Sequence, residues 1–247
     1  MINNKNSYLI VIPARYNSTR LPGKPLLKIL KKTMLFRVWE TCIKVNGSDK
    51  VLVATDDKRI ALHCEKMGMN FIMTSKSCKT GTDRVIEVAK KIKRDFYINV
   101  QGDEPLINKR DIIKVIDTYK KNMFHIVNGM AKISNEKDFR NLNVPKVVTC
   151  KDKILLYISR SSIPISKNNK FHMGFRQVCI YAFSHHALKD KNLFNKKSKL
   201  ELIEDIEILR FLEHGYKIKM VNLSDKSIAV DTSKDLLRVK KIFDARK

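Results

Sequence analysis

Two hydrophobic rhythms alternate along the first half of the chain. Tyr8–Ile12 (YLIVI) is a short unbroken apolar run, the pattern of a strand covered on both faces. Met34–Val45 repeats apolar residues at helical spacing, with Leu35, Val38, Trp39 and Cys42 on one face. Lys50–Thr55 (KVLVAT) returns to a strand pattern, and Asp56-Asp57 opens a helix that reaches Met67. Asn70–Met73 is strand-like, Gly81–Lys93 is helical with Val85, Ile86, Val88 and Ala89 inward, and Asp95–Val100 (DFYINV) is a strong strand. Asn108–Lys121 is a further helix. This βαβα order predicts a mainly parallel sheet with helices on both faces.

The rhythm then changes. Lys146–Cys150 and Ile154–Ile158 flank Lys151-Asp152-Lys153 and predict a hairpin, followed by a loop at Lys167–Lys170 and a strand at Gln177–Phe183. Leu200–His214 predicts one helix with acids along one side, Tyr216–Val221 and Ser227–Val230 two strands, and Ser233 the cap of a last helix ending near Asp244. With no linker or repeat, the expectation is one domain over 1–247. Residues 1–125 make up the first half, 126–225 a smaller, insertion-like lobe, and the last strand and helix are expected to return to the main sheet.

Composition narrows the class. Five scattered cysteines, Cys42, Cys64, Cys78, Cys150 and Cys179, contain no CxxC pair, which points to reduced thiols rather than a zinc site. No apolar run approaches the ~18 residues of a membrane span. The opening MINNKNSYLIVIP lacks the basic flank and long apolar core of a leader, so the expected location is the cytoplasm. The net charge is +25, from 50 Lys and Arg against 25 Asp and Glu. These lysines are spread along the chain and mostly flank helices, which describes a solvated surface better than a nucleic-acid groove. No basic helix and no aromatic-rich strand for stacking bases is present.

Five segments carry candidate chemistry. The first strand empties into a loop bearing Ser18, Thr19 and Gly23 with three cations, Arg15, Arg20 and Lys24, suited to a triphosphate at the carboxyl end of a strand. A solvated turn would look the same. NVQGDEP (Asn99–Pro105) places Asp103 and Glu104 after the strand DFYINV, where a carboxylate either holds Mg²⁺ or favours the following helix start, and where Gln101 can bond a base or sugar. Asp231 closes Ser227–Val230 and is either a second metal ligand beside Asp103 or a helix cap. Thr80-Gly81-Thr82 opens a helix whose unpaired N–H groups suit a base or phosphate, or merely start the helix. Arg160 follows an apolar strand and either clamps a carboxylate or covers the surface. His185-His186 reads as a helix start, and Tyr181 as core rather than as a stacking platform.

In order, PARxxSTRLPGKPL, VATDD, TGTDR, NVQGDEP, SRxxIP and VDTxxDL resemble the 3-deoxy-manno-octulosonate cytidylyltransferase (CMP-Kdo synthetase) family, from Leu9 to about Val239. The resemblance implies a nucleotide-diphospho-sugar transferase fold, a mixed but mainly parallel Rossmann-like sheet, and commonly a homodimer, with 1–125 as the nucleotide-binding half and 126–225 as the lobe for the sugar and for dimerisation. It implies that CTP and a 3-deoxy-2-keto sugar acid give the CMP-sugar and pyrophosphate, for lipopolysaccharide or related surface glycans. By motif position, Arg15, Ser18, Arg20 and Lys24 bind the phosphates, with Arg15, Lys24 and Asp103 catalytic. Ala14, Gln101 and Thr80, Gly81 and Thr82 surround the nucleoside, and Asp103 and Asp231 hold Mg²⁺ as the cofactor. Arg160, Gln177, Tyr181, Glu201, Glu204 and Asp205 fall on the sugar side.

The departures are on that side. Gln177 stands where many members carry His, and Ile208 where many carry Gln, while Asp205 adds an acid. Such an acid suits a more cationic acceptor, so Kdo, 8-amino-8-deoxy-Kdo and a phosphonate all remain open, with a basic nucleic-acid-binding module as the reading from another class.

Overall fold

A computed structural model describes residues 7–18, 20–121, 124–194 and 196–245. Thr19 of the opening loop and the first six residues of the chain lie outside the described residues. The elements, in chain order, are β1 (Tyr8–Ala14), β2 (Lys28–Ile29), β3 (Lys32–Thr33), α1 (Met34–Asn46), β4 (Val51–Thr55), α2 (Lys58–Lys66), β5 (Phe71–Met73), α3 (Gly81–Lys91), β6 (Phe96–Val100) and α4 (Lys109–Lys121). There follow β7 (Ile126–Lys132), α5 (Glu136–Arg140), β8 (Lys146–Thr149), β9 (Leu155–Ser159), β10 (Phe175–Ser184), α6 (His185–Leu188), α7 (Lys199–Glu204), α8 (Leu209–Glu213), β11 (Ile218–Asn222) and α9 (Ser233–Asp244).

The main sheet runs β11-β7-β10-β6-β1-β4-β5, with β8 joining β10 and β9 joining β8. β1 pairs in parallel with β4 and β6, β4 with β5, and β7 with β11, whereas β10 is antiparallel to both β6 and β7. The unbroken apolar run of β1 has a simple cause: both of its faces are covered. Tyr8, Ile10, Ile12 and Ala14 pack with Leu35, Val38 and Ile112 of α1 and α4, while Leu9 and Val11 pack with Val85, Ile86 and Val88 of α3. The sheet thus brings the carboxyl ends of β1, β4 and β6 to one edge, below the loops that carry the candidate residues.

Four sequence expectations need correction. The predicted helix over Leu200–His214 is two helices, because Asp205 ends α7 in the left-handed region at φ 49°. The break turns Glu207 towards α3 and lets Arg210 reach back to Glu201 (see below). Ser227–Val230 is not a strand; it crosses the strand ends, tied by Val230 N–H to Asp103 O at 2.9 Å and by the Ser227 hydroxyl to Glu104. The cap of α9 is Thr232, whose side chain accepts from Asp235 N–H in a capping box, and Ser233 is the first helical residue. No strand is expected between Lys121 and Lys146, yet β7 lies there.

β7 hides behind Asn128 and Gly129, residues that disfavour strands. Both serve an irregularity in β10, where the register with β7 shifts between Val178 and Tyr181. The buried Asn128 amide donates to Val178 O and Ile180 O, each at 3.0 Å, and so satisfies carbonyls freed from the ladder. A Cβ on Gly129 would meet Leu223 Cδ1 at 2.4 Å and Val178 O at 3.1 Å, so any larger residue would force both neighbours to shift.

Candidate active site

The loop after β1 folds back on itself. Gly23 N–H donates to Tyr16 O at 3.0 Å, and Gly23 takes φ 66°, a left-handed conformation that L side chains disfavour. The turn aims Lys24 under the strand ends. There its Nζ lies 2.6 Å from Asp103 Oδ2, at the end of β6, and 3.0 Å from Asp231 Oδ1, just before α9. Arg20 Nη2 lies 3.4 Å from Asp231 Oδ2. Burial alone would depress the Lys24 pKa, but the two carboxylates outweigh it and raise the value. Residues more than 200 positions apart in sequence therefore meet at one point. The exposed Arg15 and half-buried Ser18 stand on the same loop, with Ala14 buried at its root.

Asp103 and Asp231 fit a hard cation. Both present oxygen donors to a single positive centre, and both keep some solvent access, with side chains 28% and 34% exposed. Among the described residues no three His, Cys, Asp or Glu side chains converge as a metal site, so a divalent ion here would take water or substrate oxygens as its further ligands. Glu104 turns away from this point. It is buried, accepts from Cys179 N–H at 3.2 Å and from the Ser227 hydroxyl, and burial raises its pKa.

The α3 start corrects another expectation. Gly81 N–H and Thr82 N–H are not available to a ligand here: they donate to the Glu207 carboxylate at 3.2 and 2.7 Å. Thr80 caps the same helix by accepting from Asp83 N–H. The turn lies against Gln101, whose Nε2 is 2.9 Å from the place a Gly81 Cβ would occupy. Glu207 escaped the sequence reading, although Glu201, Glu204, Glu207 and Arg210 recur at intervals of three, a spacing that puts acids and arginine on one face.

On the sugar side the candidates separate into three groups. Arg160 donates to Glu204 O, Leu142 O and Asp205 O at 2.5, 3.0 and 3.1 Å, and its own N–H donates to Glu204 Oε2 at 2.8 Å. Its side chain remains 32% exposed. Glu204 is a brace rather than a ligand arm, because its other oxygen accepts from Ser159 Oγ at 2.6 Å. Asp205 is exposed but not a spare charge: Lys197 Nζ is 2.9 Å away and Arg160 Nη2 3.8 Å, and Lys197, Arg160 and Arg15 all lower its pKa. Its charge is therefore shared with two cations, which weakens the electrostatic argument for a cationic acceptor.

Gln177 and Tyr181 form the second group, under the β10 irregularity. Gln177 Nε2 donates to Asn128 Oδ1 at 3.0 Å and to the Tyr181 hydroxyl at 3.2 Å, and both residues are buried. Tyr181 stacks on Phe183, in keeping with a core position. Glu201 stands apart as a correction. It has no exposed surface and holds Arg210 through two bonds of 2.7 Å, while Arg210 also reaches Asp83 at 2.7 Å. This enclosed triad joins α7, α8 and α3. Ile208 is likewise buried in the core.

A mixed, mainly parallel sheet with a basic loop after its first strand, and two carboxylates meeting at the strand ends, is the architecture of nucleotide-diphospho-sugar transferases. The cytidylyltransferase family profile matches residues 9–219. The chain is 40% identical to a 3-deoxy-manno-octulosonate cytidylyltransferase of Thermodesulfovibrio yellowstonii, over 92% of this chain and 94% of that one. It is also 40% identical to that of Fusobacterium nucleatum, over 94% and 95%. The solved structure of a CMP:2-keto-3-deoxy-manno-octonic acid synthetase complexed with CTP superposes with a TM-score of 0.90 at 34% identity, covering 98% of this chain and 100% of that chain. HddC from Yersinia pseudotuberculosis, at a TM-score of 0.70 and 16% identity, shares the fold. The chain belongs to the 3-deoxy-manno-octulosonate cytidylyltransferase family.

Proposed function

We propose that this chain transfers the cytidylyl group of CTP to Kdo, releasing pyrophosphate and giving CMP-Kdo for lipopolysaccharide or a related surface glycan. The observation that carries the reading is the meeting of Lys24, Asp103 and Asp231 at the carboxyl ends of the strands. The anomeric hydroxyl oxygen attacks the α-phosphorus, the bond to the β-phosphate oxygen breaks, and pyrophosphate leaves with that electron pair. The hydroxyl proton passes to water. Transfer of this kind needs positioning and charge stabilisation rather than a covalent nucleophile.

Arg15, Ser18, Arg20 and Lys24 would bind the triphosphate from one loop, with Arg offering a planar fork and Lys a point charge. Ala14, Gln101 and the Thr80–Thr82 turn would border the nucleoside, the turn held in place by Glu207. Arg160, fixed by three carbonyls, would turn its remaining donors to the acid's carboxylate. Asp103 and Asp231 would hold Mg²⁺, which when bound polarises the α-phosphate and lowers the pKa of a coordinated hydroxyl. The pairing of Asp205 with Lys197 and Arg160 favours plain Kdo over its amino analogue.

Two wider expectations belong to this reading. A homodimer is supported by exposed apolar side chains on adjoining elements: Leu156 on β9, and Leu202 and Ile203 on α7, which Glu204 ties to the end of β9. A cytoplasmic location is supported by the need for CTP and by five free thiols; among the described residues no helix is long and apolar enough to cross a membrane. Pyrophosphate release from CTP with Kdo, compared with 8-amino-8-deoxy-Kdo and a phosphonate, tests the acceptor. A strong preference for the amino sugar would overturn the choice of Kdo.

A further inference from the structure

Lys24 occupies the position that matters most for a divalent cation. Its side chain is only 12% exposed, and its ammonium bridges Asp103 Oδ2 and Asp231 Oδ1 at 2.6 and 3.0 Å. Without a positive charge between them these carboxylates would repel, since each is supplied by a different segment and nothing covalent holds the pair. Mg²⁺ takes its oxygens at about 2.0–2.1 Å in a near-octahedral shell. It cannot use these two oxygens while an ammonium lies between them. Arg20 differs: it approaches Asp231 from one side at 3.4 Å, is 54% exposed and does not bridge the pair.

The loop geometry allows the ammonium to leave. The backbone under Lys24 is fixed by the Gly23 turn, by Leu26 N–H donating to Gly23 O at 2.9 Å, and by buried Pro25. Movement therefore falls to the four-carbon side chain. A triphosphate on the same loop, beside Arg15 and Arg20, offers the ammonium another set of anionic partners.

We propose that Lys24 is a tethered placeholder cation. It holds Asp103 and Asp231 together before metal binds, and it must withdraw from between them for a divalent ion to enter. The inference rests on the assignment of Asp103 and Asp231 as metal ligands. It gives the lysine two successive roles, first on the carboxylates and then on the phosphates.

The test is Mn²⁺ binding to the full chain without nucleotide, read as loss of the free-ion signal in electron paramagnetic resonance. Wild type, Lys24→Met, Arg20→Gln and Asp103→Asn are compared, with circular dichroism to verify folding. Lys24→Met should bind Mn²⁺ roughly tenfold more tightly than wild type, and Arg20→Gln should change affinity far less. Unchanged or weaker binding by Lys24→Met would overturn the proposal, and so would equal tightening by Arg20→Gln, which would reduce the effect to general charge. If Asp103→Asn binds Mn²⁺ as wild type does, the metal assignment itself fails, a result distinct from failure of the placeholder alone. Should Lys24→Met not fold, the ¹⁵N resonance of the Lys24 ammonium in wild type decides: Mg²⁺ should shift or abolish it, and persistence at saturating Mg²⁺ contradicts displacement.

Discussion

Asp103 and Lys24 have different parts in the proposed reaction, and single substitutions separate them. Asp103→Asn preserves shape but removes one of the two charges on which a metal would rest. Turnover should fall by roughly two orders of magnitude or more, with circular dichroism unchanged. Lys24→Ala should raise KM for CTP far more than KM for the sugar acid, and steady-state kinetics with each substrate varied will show it. The reverse pattern would move Lys24 to the acceptor side. At this scale the sequence is informative where function needs charged residues next to a strand end, as in the opening loop and NVQGDEP. It is misleading where an acid serves the fold. Glu201 has the same letter and neighbourhood as an exposed helical acid, and only its enclosure with Arg210 and Asp83 shows otherwise.

The elements α3, α7 and α8 depend on buried charge. Arg210 bonds Glu201 and Asp83 with no exposed surface on any of the three. Arg210→Met would strand two buried carboxylates and should cost about 3–5 kcal/mol in urea unfolding. A loss below about 1 kcal/mol would mean that water reaches the acids. Glu104 gives a pH signature. Burial raises its folded pKa above the ordinary 4.5, so the fold binds its proton more tightly than the unfolded chain does. Its contribution is therefore fully present below 4.5 and is lost as pH rises through the folded value. Urea titrations should show stability falling less steeply from pH 4.5 to 7 in Glu104→Gln than in wild type.

Periodicity made β1, α1, β4, α3, β6 and α4 legible because each buries a regular face. It failed at β7, where Asn128 and Gly129 answer to the irregular β10, and across Leu200–His214, where helical spacing conceals the turn at Asp205. Both failures occur where tertiary contacts override local preference.

For the molecule as a whole, the +25 charge and the meeting of Lys24, Asp103 and Asp231 make different predictions. A basic surface alone would bind oligonucleotides in proportion to charge and release them steeply as salt rises. A cytidylyltransferase depends on a local constellation, so its activity should outlast that nonspecific binding. The topology also accounts for how much of the site was readable. The proposed nucleotide side lies on loops after parallel strands, where fold rules point directly. The proposed acceptor side draws on β10, the end of β9 and the α7–α8 break, whose relation no local pattern encodes. The most direct test is pyrophosphate release from CTP, Mg²⁺ and Kdo by the wild-type chain and by Asp103→Asn. For a metal-dependent cytidylyl transfer to Kdo, release should require both CTP and Kdo and be largely lost in the variant. Absence of release with every 2-keto sugar acid, or undiminished release by Asp103→Asn, would contradict it.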